Sequence, residues 1–569
     1  MRTLSTILLV LVAWGCGGDE APRAEPGALA FCETAQANVA AFIGEALSRH
    51  PTPADERFGG TAVVGNIAEL ISGMNAAITS DYLSLQYQQF VNLMTLVRYD
   101  ADLTPLPYLA RSWDIDQDTT RLTFHLRDDV YWHDGERTDA HDVAFTYALV
   151  TDPDTNFPNP SFFDFYGRGE NGMRVVDDFT VSVDLRPHAE LLDPWRALPI
   201  LPEHLLGDVP PEDIAAHPYG SRCPVGNGPF VFVEHRAQDR WVFEANPAFP
   251  QELGGRPFLD RLVHRVIPEQ ATLLAELLTG GLDVYIDVPT DQADQLVDGG
   301  ARLDRFTSRQ LEYVAWNGRR PLFSDPRVRR ALTLATNRQE LVESTLGGYG
   351  RIAQSTIPPF HWAYSQGRAG EDLFDPELAG RLLDESGWSD RDGDGVRENA
   401  EGEPLSFTLT YNTGNQRRQD IAEIMQAQLG RVGIEIRTES VEPASLAARL
   451  FDPDARDYDA VIFGWITEFR MDDRDLLHSE RGTGPFALSG TANPELDRLL
   501  DTLPLVVDRA EARPLWNEYQ RVQGEEHPYT FLFFPERLTG ISPRMMGVET
   551  DVRGEWINVR GWWVDPRRR

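Results

Sequence analysis

Segments that alternate apolar and polar residues recur between segments of helical period, which predicts a mixed α/β protein. A length of 569 residues is too great for one ordinary core, so two or more lobes are expected. An apolar fraction of 41%, with 28 Phe, 13 Trp and 16 Tyr, supplies the apolar mass such lobes need.

The elements follow in order. Residues 17–30, rich in Gly, Ala, Pro and acids, read as a tether, and 33–49 as a short extra helix. From Gly60 the pattern is strand "GTAVVGN", helix "DYLSLQYQQFVNLMTLV", strands "TRLTFHLR" and "FTVSVDL", with the helix "AHDVAFTYALV" between them. The hairpin "PFVFVEHRAQDRWVFEAN", strand "DRLVHRVI" and helix "QATLLAELLTG" come next. "LEYVAWN" is a strand, and 325–346 one long helix opened by Asp325 as cap and Pro326 at its first position. "PELAGRLLDESGW" is a helix. Beyond it come strand "LSFTLTYN", helix "QDIAEIMQAQLGRVG" and strands "IEIRTES" and "DAVIFGW". Helices "NPELDRLLDTL" and "ARPLWNEYQRVQGEE" precede the late strand "TFLFFPE".

With 53 basic against 89 acidic residues the formal charge is −36, a surface that repels phosphate backbones and anionic headgroups. Nucleic acid is therefore no partner. Every basic side chain other than histidine is arginine, which excludes a Walker-type phosphate loop, a Schiff base and a pyridoxal anchor. The 12 histidines form no HExxH or triad pattern, and no Gly-x-Ser-x-Gly elbow appears. No enzyme activity is expected.

The start "MRTLSTILLVLVAWGCGGDEAP" has a basic residue, an apolar run and small residues before Cys16, the form of a secretory signal over 1–16. Cys16 with the "GGDEAP" after it resembles a bacterial lipobox, which implies acylation of Cys16 and a membrane contact through lipid alone. Ala13-x-Gly15 also suits ordinary signal cleavage. Cys32 and Cys223 then remain, an even pair in an oxidising compartment, and a disulfide is expected; two buried thiols are the alternative.

Residues 390–401, "DRDGDGVRENAE", space carboxylates as a twelve-residue calcium loop does, with Gly395 at its sixth place. Asp390, Asp392, Asp394 and Glu401 could offer side-chain oxygens, Val396 its carbonyl, and Glu398 a water-mediated contact. The loop leads into a strand and its eighth residue is Arg397, so a structural calcium ion would pin one loop and sense nothing. No other cofactor is required.

Several stretches in order resemble family 5 of the extracellular solute-binding proteins, the peptide and nickel class of ABC-transporter receptors. They are "PYLARSW", "TFHLR", "WHDG" and "HDVAF" within 96–150, "VGNGPF" at 225–230, "WNGRRPLFSDPRVRRALTLATNRQELV" at 316–342 and "NPELDRLL" at 493–500. The resemblance implies a two-lobed periplasmic-binding-protein fold of type II with an extra subdomain in lobe one. Lobe one would be 57–305 plus 537–569, its subdomain about 96–205, and lobe two 306–536, behind a tether and extra helix at 17–56. It further implies a monomer that captures an oligopeptide or similar small solute between the lobes and delivers it to ABC permease subunits in the periplasm or cell envelope. A surface signalling or scavenging lipoprotein without a permease is the alternative. In peptide-binding members an Asp three residues after the Gly-Trp pair binds the peptide amine; here Glu468 takes that place after Trp465. Phe469 and Asn317, which resembles a cleft-edge Asn, complete the implied ligand set. Trp113, Trp132 and Gly135 read as packing and turn residues, and Asp134 and Asp142 as caps.

Overall fold

The computed structural model describes residues 26–116, 118–169, 172–365, 374–452, 456–481 and 484–568, so the acylation expected at Cys16 lies outside the described residues. Among them no helix is long and apolar enough to cross a membrane.

One strand ties the molecule together. Tyr529–Ile541 runs for 13 residues, and its two halves belong to different parts of the sheet. Residues 529–533 pair with Gln310–Trp316, which pairs in turn with Ala460–Ile466, and the ladder continues through Ser406–Asn412 to Glu435–Val441. Residues 536–541 pair with Arg302–Thr307 and in part with Val284–Ile286. From there the sheet continues through Thr61–Asn66, Arg261–Val266, Arg240–Ala245 and Phe230–Arg236. The chain thus crosses between the two parts of the sheet at 308–309 and again at 535–536. In lobe two, apolar clusters cover both faces of the sheet. The subdomain is a separate four-stranded antiparallel sheet, Ala110–Ile115, Arg121–Leu126, Thr180–Asp184 and Arg174–Asp177, over its own core.

Alternation is visible in the burial itself: along 121–126 every second side chain is fully covered. Asp142 closes a capping box at Asp139 and accepts the indole N–H of buried Trp132 at 2.9 Å, so both motif residues are structural.

Several elements differ from the pattern reading, these four among them. The first helix is Pro26–Arg49, so helix replaces the end of the expected tether; Pro26 opens it, and Cys32, bonded to Cys223, fastens it to lobe one. The helix expected over 81–97 is α-helical only over Tyr82–Tyr87 and then widens to a π turn over Gln88–Asn92. Buried amides there serve other chain segments: Gln88 donates to the Gly73 carbonyl at 2.8 Å and Gln89 to that of Ala197 at 2.9 Å. The long helix 325–346 is two, Pro326–Ala335 and Arg338–Leu346, because the Asn337 side chain accepts the Glu340 N–H and starts a new helix. A helix at Pro443–Phe451, capped by Glu442, was not read from the sequence.

Two family motifs have plain structural reasons. Arg329 of "DPRVRR" is 1% exposed and donates to the carbonyls of Phe323, Ser324, Glu526 and His527. The last two close the C-terminus of helix Arg509–Glu526, where a cation is favoured. In "VGNGPF", Gly226 and Gly228 lie directly on the backbone of Asn92.

Candidate functional site

The sheet places the expected ligand residues at its lobe two edge beside the crossing. Strand Ala460–Ile466 ends opposite Gln310, and Thr467 donates its N–H to the Arg309 carbonyl at 2.8 Å, which fixes the following loop against the first crossing. Arg309 then donates to Glu468 Oε2 at 2.8 Å, while Oε1 has no partner among the described residues. The Glu468 side chain is 42% exposed, with one oxygen spent on the crossing and the other unpartnered among the described residues.

Phe469 behaves differently from the expectation. It is 4% exposed and packs with Tyr99, Leu103 and Val552 of lobe one. The guanidiniums of Arg196 and Arg309 lie 4.8 and 5.2 Å from its ring centre. Its carbonyl is held by His361 Nε2 at 3.1 Å, and His361 Nδ1 accepts the Ala363 N–H at 3.1 Å. Burial lowers His361 to about 4, so the neutral ring carries its proton on Nε2 and donates it to Phe469. Phe469 therefore joins the lobes rather than offering a free surface.

Trp465 and Glu468 both line a cavity of about 1120 Å³. Its other wall is the subdomain at Phe162, Phe165 and His188. Trp465 is half-buried and stands edge-on to Phe486 at 5.4 Å. Polar contacts hold the lobes together around this space. Ala189 donates its N–H to the Pro504 carbonyl at 2.6 Å, and Arg509 donates to the carbonyls of Asp102 and Leu103 at 3.4 and 2.5 Å.

Asn317 is not part of this site. It follows the far end of strand Gln310–Trp316, roughly 20 Å from the Glu468 end at about 3.4 Å per residue. It is 2% exposed, and its amide donates to the Tyr458 carbonyl at 2.9 Å. Its place just past "LEYVAW" suggested a cleft edge, but antiparallel pairing puts the start of that strand, not its end, beside Ile466.

The acidic loop folds on itself. Oxygens of Asp390, Asp392 and Glu398 lie within 4.8 Å of one another and are the one group of three such ligands among the described residues. Asp390 accepts the N–H groups of Gly393 and Gly395 at 2.7 and 3.1 Å, and both glycines have positive φ. Asp394 lies outside the group, spending Oδ1 on the Val396 N–H, and so does Glu401. Arg397, where a calcium loop carries an apolar residue, turns to Asp384 and the carbonyls of Trp388 and Val432.

Arg309, Arg196 and Tyr99 were not found from the sequence. Arg309 lies 159 residues before its partner Glu468, with no local pattern to mark it.

Residues 104–485 match the profile of the bacterial extracellular solute-binding proteins, family 5 Middle. The oligopeptide-binding protein AppA of Bacillus subtilis is 29% identical over 483 residues, 84% of this chain and 86% of its own. The structure of that protein with a nonapeptide superposes with a TM-score of 0.69 at 28% identity, covering 90% of this chain and 99% of the other. The ABC transporter substrate-binding protein CtaP of Listeria monocytogenes shares the fold, with a TM-score of 0.77 at 22% identity over 89% of this chain and 99% of its own. The two lobes, the double crossing and the match over most of the sequence agree: this chain belongs to the family 5 bacterial extracellular solute-binding proteins, which are receptors and not enzymes.

Proposed function

We propose that this receptor captures an oligopeptide between its lobes, with Glu468 taking the peptide amine, and delivers it to an ABC permease. The observation that carries the reading is the open Oε1 of Glu468 on the wall of a cavity of about 1120 Å³, wide enough for a short peptide. The resemblance to a nonapeptide-binding relative supports it. Arg309 occupies one carboxylate oxygen, and an ammonium completes the other with a charge-assisted hydrogen bond. Partial exposure screens this contact, so Glu468→Gln is expected to weaken binding about ten- to a hundredfold, and Trp465→Phe much less. A thermal-shift screen of short peptides with free and acetylated amino termini checks this. A true ligand at a hundred times its dissociation constant stabilises by about 2.7 kcal/mol. Hits that bind equally well when acetylated would refute the anchor.

Lipid on Cys16 would keep the receptor at the envelope surface, as the "GCGGDEAP" segment suggests. Expressed with a fatty-acid analogue, wild type is expected to take up label and Cys16→Ser none. Label in both, or in neither, removes the anchor.

Calcium is proposed as an accessory at the 390–401 loop, where Asp390, Asp392 and Glu398 converge. Three carboxylates this close repel one another, and a cation relieves that repulsion. Adding calcium to chelator-treated protein is expected to raise the melting temperature of wild type but not of Asp390→Ala/Asp392→Ala. With no rise in wild type, the loop is only a connection.

A further inference from the structure

A second cavity, of about 340 Å³, lies among the strand Val97–Tyr99, the Phe249–Leu253 loop and the segment 553–561. Phe90, Phe249 and Trp556 give it apolar walls. Its charges are unbalanced. Four arginines line it, of which Arg196 pairs with Asp193 at 3.0 Å and Arg553 with Asp551 at 2.5 Å. Arg98 and Arg560 have no carboxylate partner among the described residues. The Arg98 guanidinium sits 5.5 Å from the ring centre of Tyr108, and Arg560 donates to the Gly254 carbonyl at 2.7 Å.

The pocket is built to hold that second guanidinium. Gly254 has φ +100, and a Cβ there would collide with the Arg560 guanidinium, so glycine both makes the turn and clears the space. Burial, with the neighbouring Arg98 charge, lowers Arg560 from its ordinary value. Burial raises Tyr108 to about 12, so its hydroxyl is a neutral donor at pH 7, and it has no hydrogen-bond partner among the described residues. In a chain of formal charge −36, two guanidiniums without an acid at one cavity run against the composition. Like charges so placed repel until an anion sits between them.

We propose that this cavity binds a small organic anion, a carboxylate or phosphate on an apolar body, between Arg98 and Arg560 with Tyr108 as hydroxyl donor. Guanidinium forks match both oxyanions in plane, and the aromatic walls receive the apolar body. The site uses none of the contacts of Glu468 and stands whether or not that residue holds a peptide amine.

Calorimetric titration of the full receptor with 3-phenylpropionate, phenyl phosphate and the neutral 3-phenylpropionamide tests it. At least one anion is expected to bind wild type while the amide does not, and whichever anion binds names the source chemistry. Arg98 is exposed, so Arg98→Gln leaves the fold intact and is expected to weaken the anion about tenfold or more. Tyr108→Phe should weaken it by a smaller factor. Arg437→Gln, on a remote exposed arginine, serves as the charge control and is expected to bind as wild type does. The proposal is overturned if neither anion binds, if the amide binds as well as the carboxylate, or if Arg98→Gln binds as wild type does.

Discussion

Arg329→Met is expected to lower folding stability by about 3–5 kcal/mol, the cost of stripping one partner from a buried charged network. Arg329 is 1% exposed, and its guanidinium meets four backbone carbonyls and the Glu526 carboxylate. Methionine fills much of the volume but donates nothing, so buried acceptors at the end of helix Arg509–Glu526 lose a charged donor. Arg329→Lys should fall between the two, because one ammonium cannot reach carbonyls on both sides of a planar fork. Denaturant unfolding read by tryptophan fluorescence gives the difference. A methionine variant within about 1 kcal/mol of wild type would show that water replaces the guanidinium and that the network is dispensable.

Gly226→Ala is expected to cost about 3 kcal/mol, at the upper end of overpacking effects. A Cβ at 226 would stand inside the contact distance of the Asn92 carbonyl oxygen and 2.8 Å from its carbon. Neither is the end of a flexible side chain. Asn92 is the last residue of the π turn, 0% exposed, with its amide donating to the Phe230 carbonyl at 3.1 Å, so it cannot step back. The control is Gly430→Ala, near the end of helix Gln416–Gly430 with nothing within 4 Å of a new Cβ. That change should be neutral or slightly stabilising. Equal melting temperatures for the two variants would remove the close-approach argument.

These two positions show what a sequence can and cannot disclose. "VGNGPF" and "DPRVRR" were legible as family marks, yet their reasons, a backbone contact across 134 residues and a helix end 197 residues away, are tertiary. Strands with one wet face were read well because alternation is local, as along 121–126. The break at Asn337 was missed because apolar periodicity continues through it, and only the side-chain cap separates the two helices. Trp465 and Glu468, expected from the family's Gly-Trp pattern, line one cavity. Asn317 was misplaced because no single stretch reveals which end of a strand faces a partner lobe. Arg309 was invisible for the same reason: its meaning comes from pairing, not from neighbours.

Both described ends of the chain lie on lobe one. Residues 26–49 are fastened to it through Cys32–Cys223, and Met545, Trp556, Trp562 and Val564 return to pack with Ala62 and Val64. A pull on the N-terminal segment therefore enters at lobe one, on the near side of 308–309 and 535–536. Lobe two hangs outside the loaded path. Contacts between the lobes, such as Arg509 with the Leu103 carbonyl, rather than the N-terminal attachment, hold lobe two against lobe one.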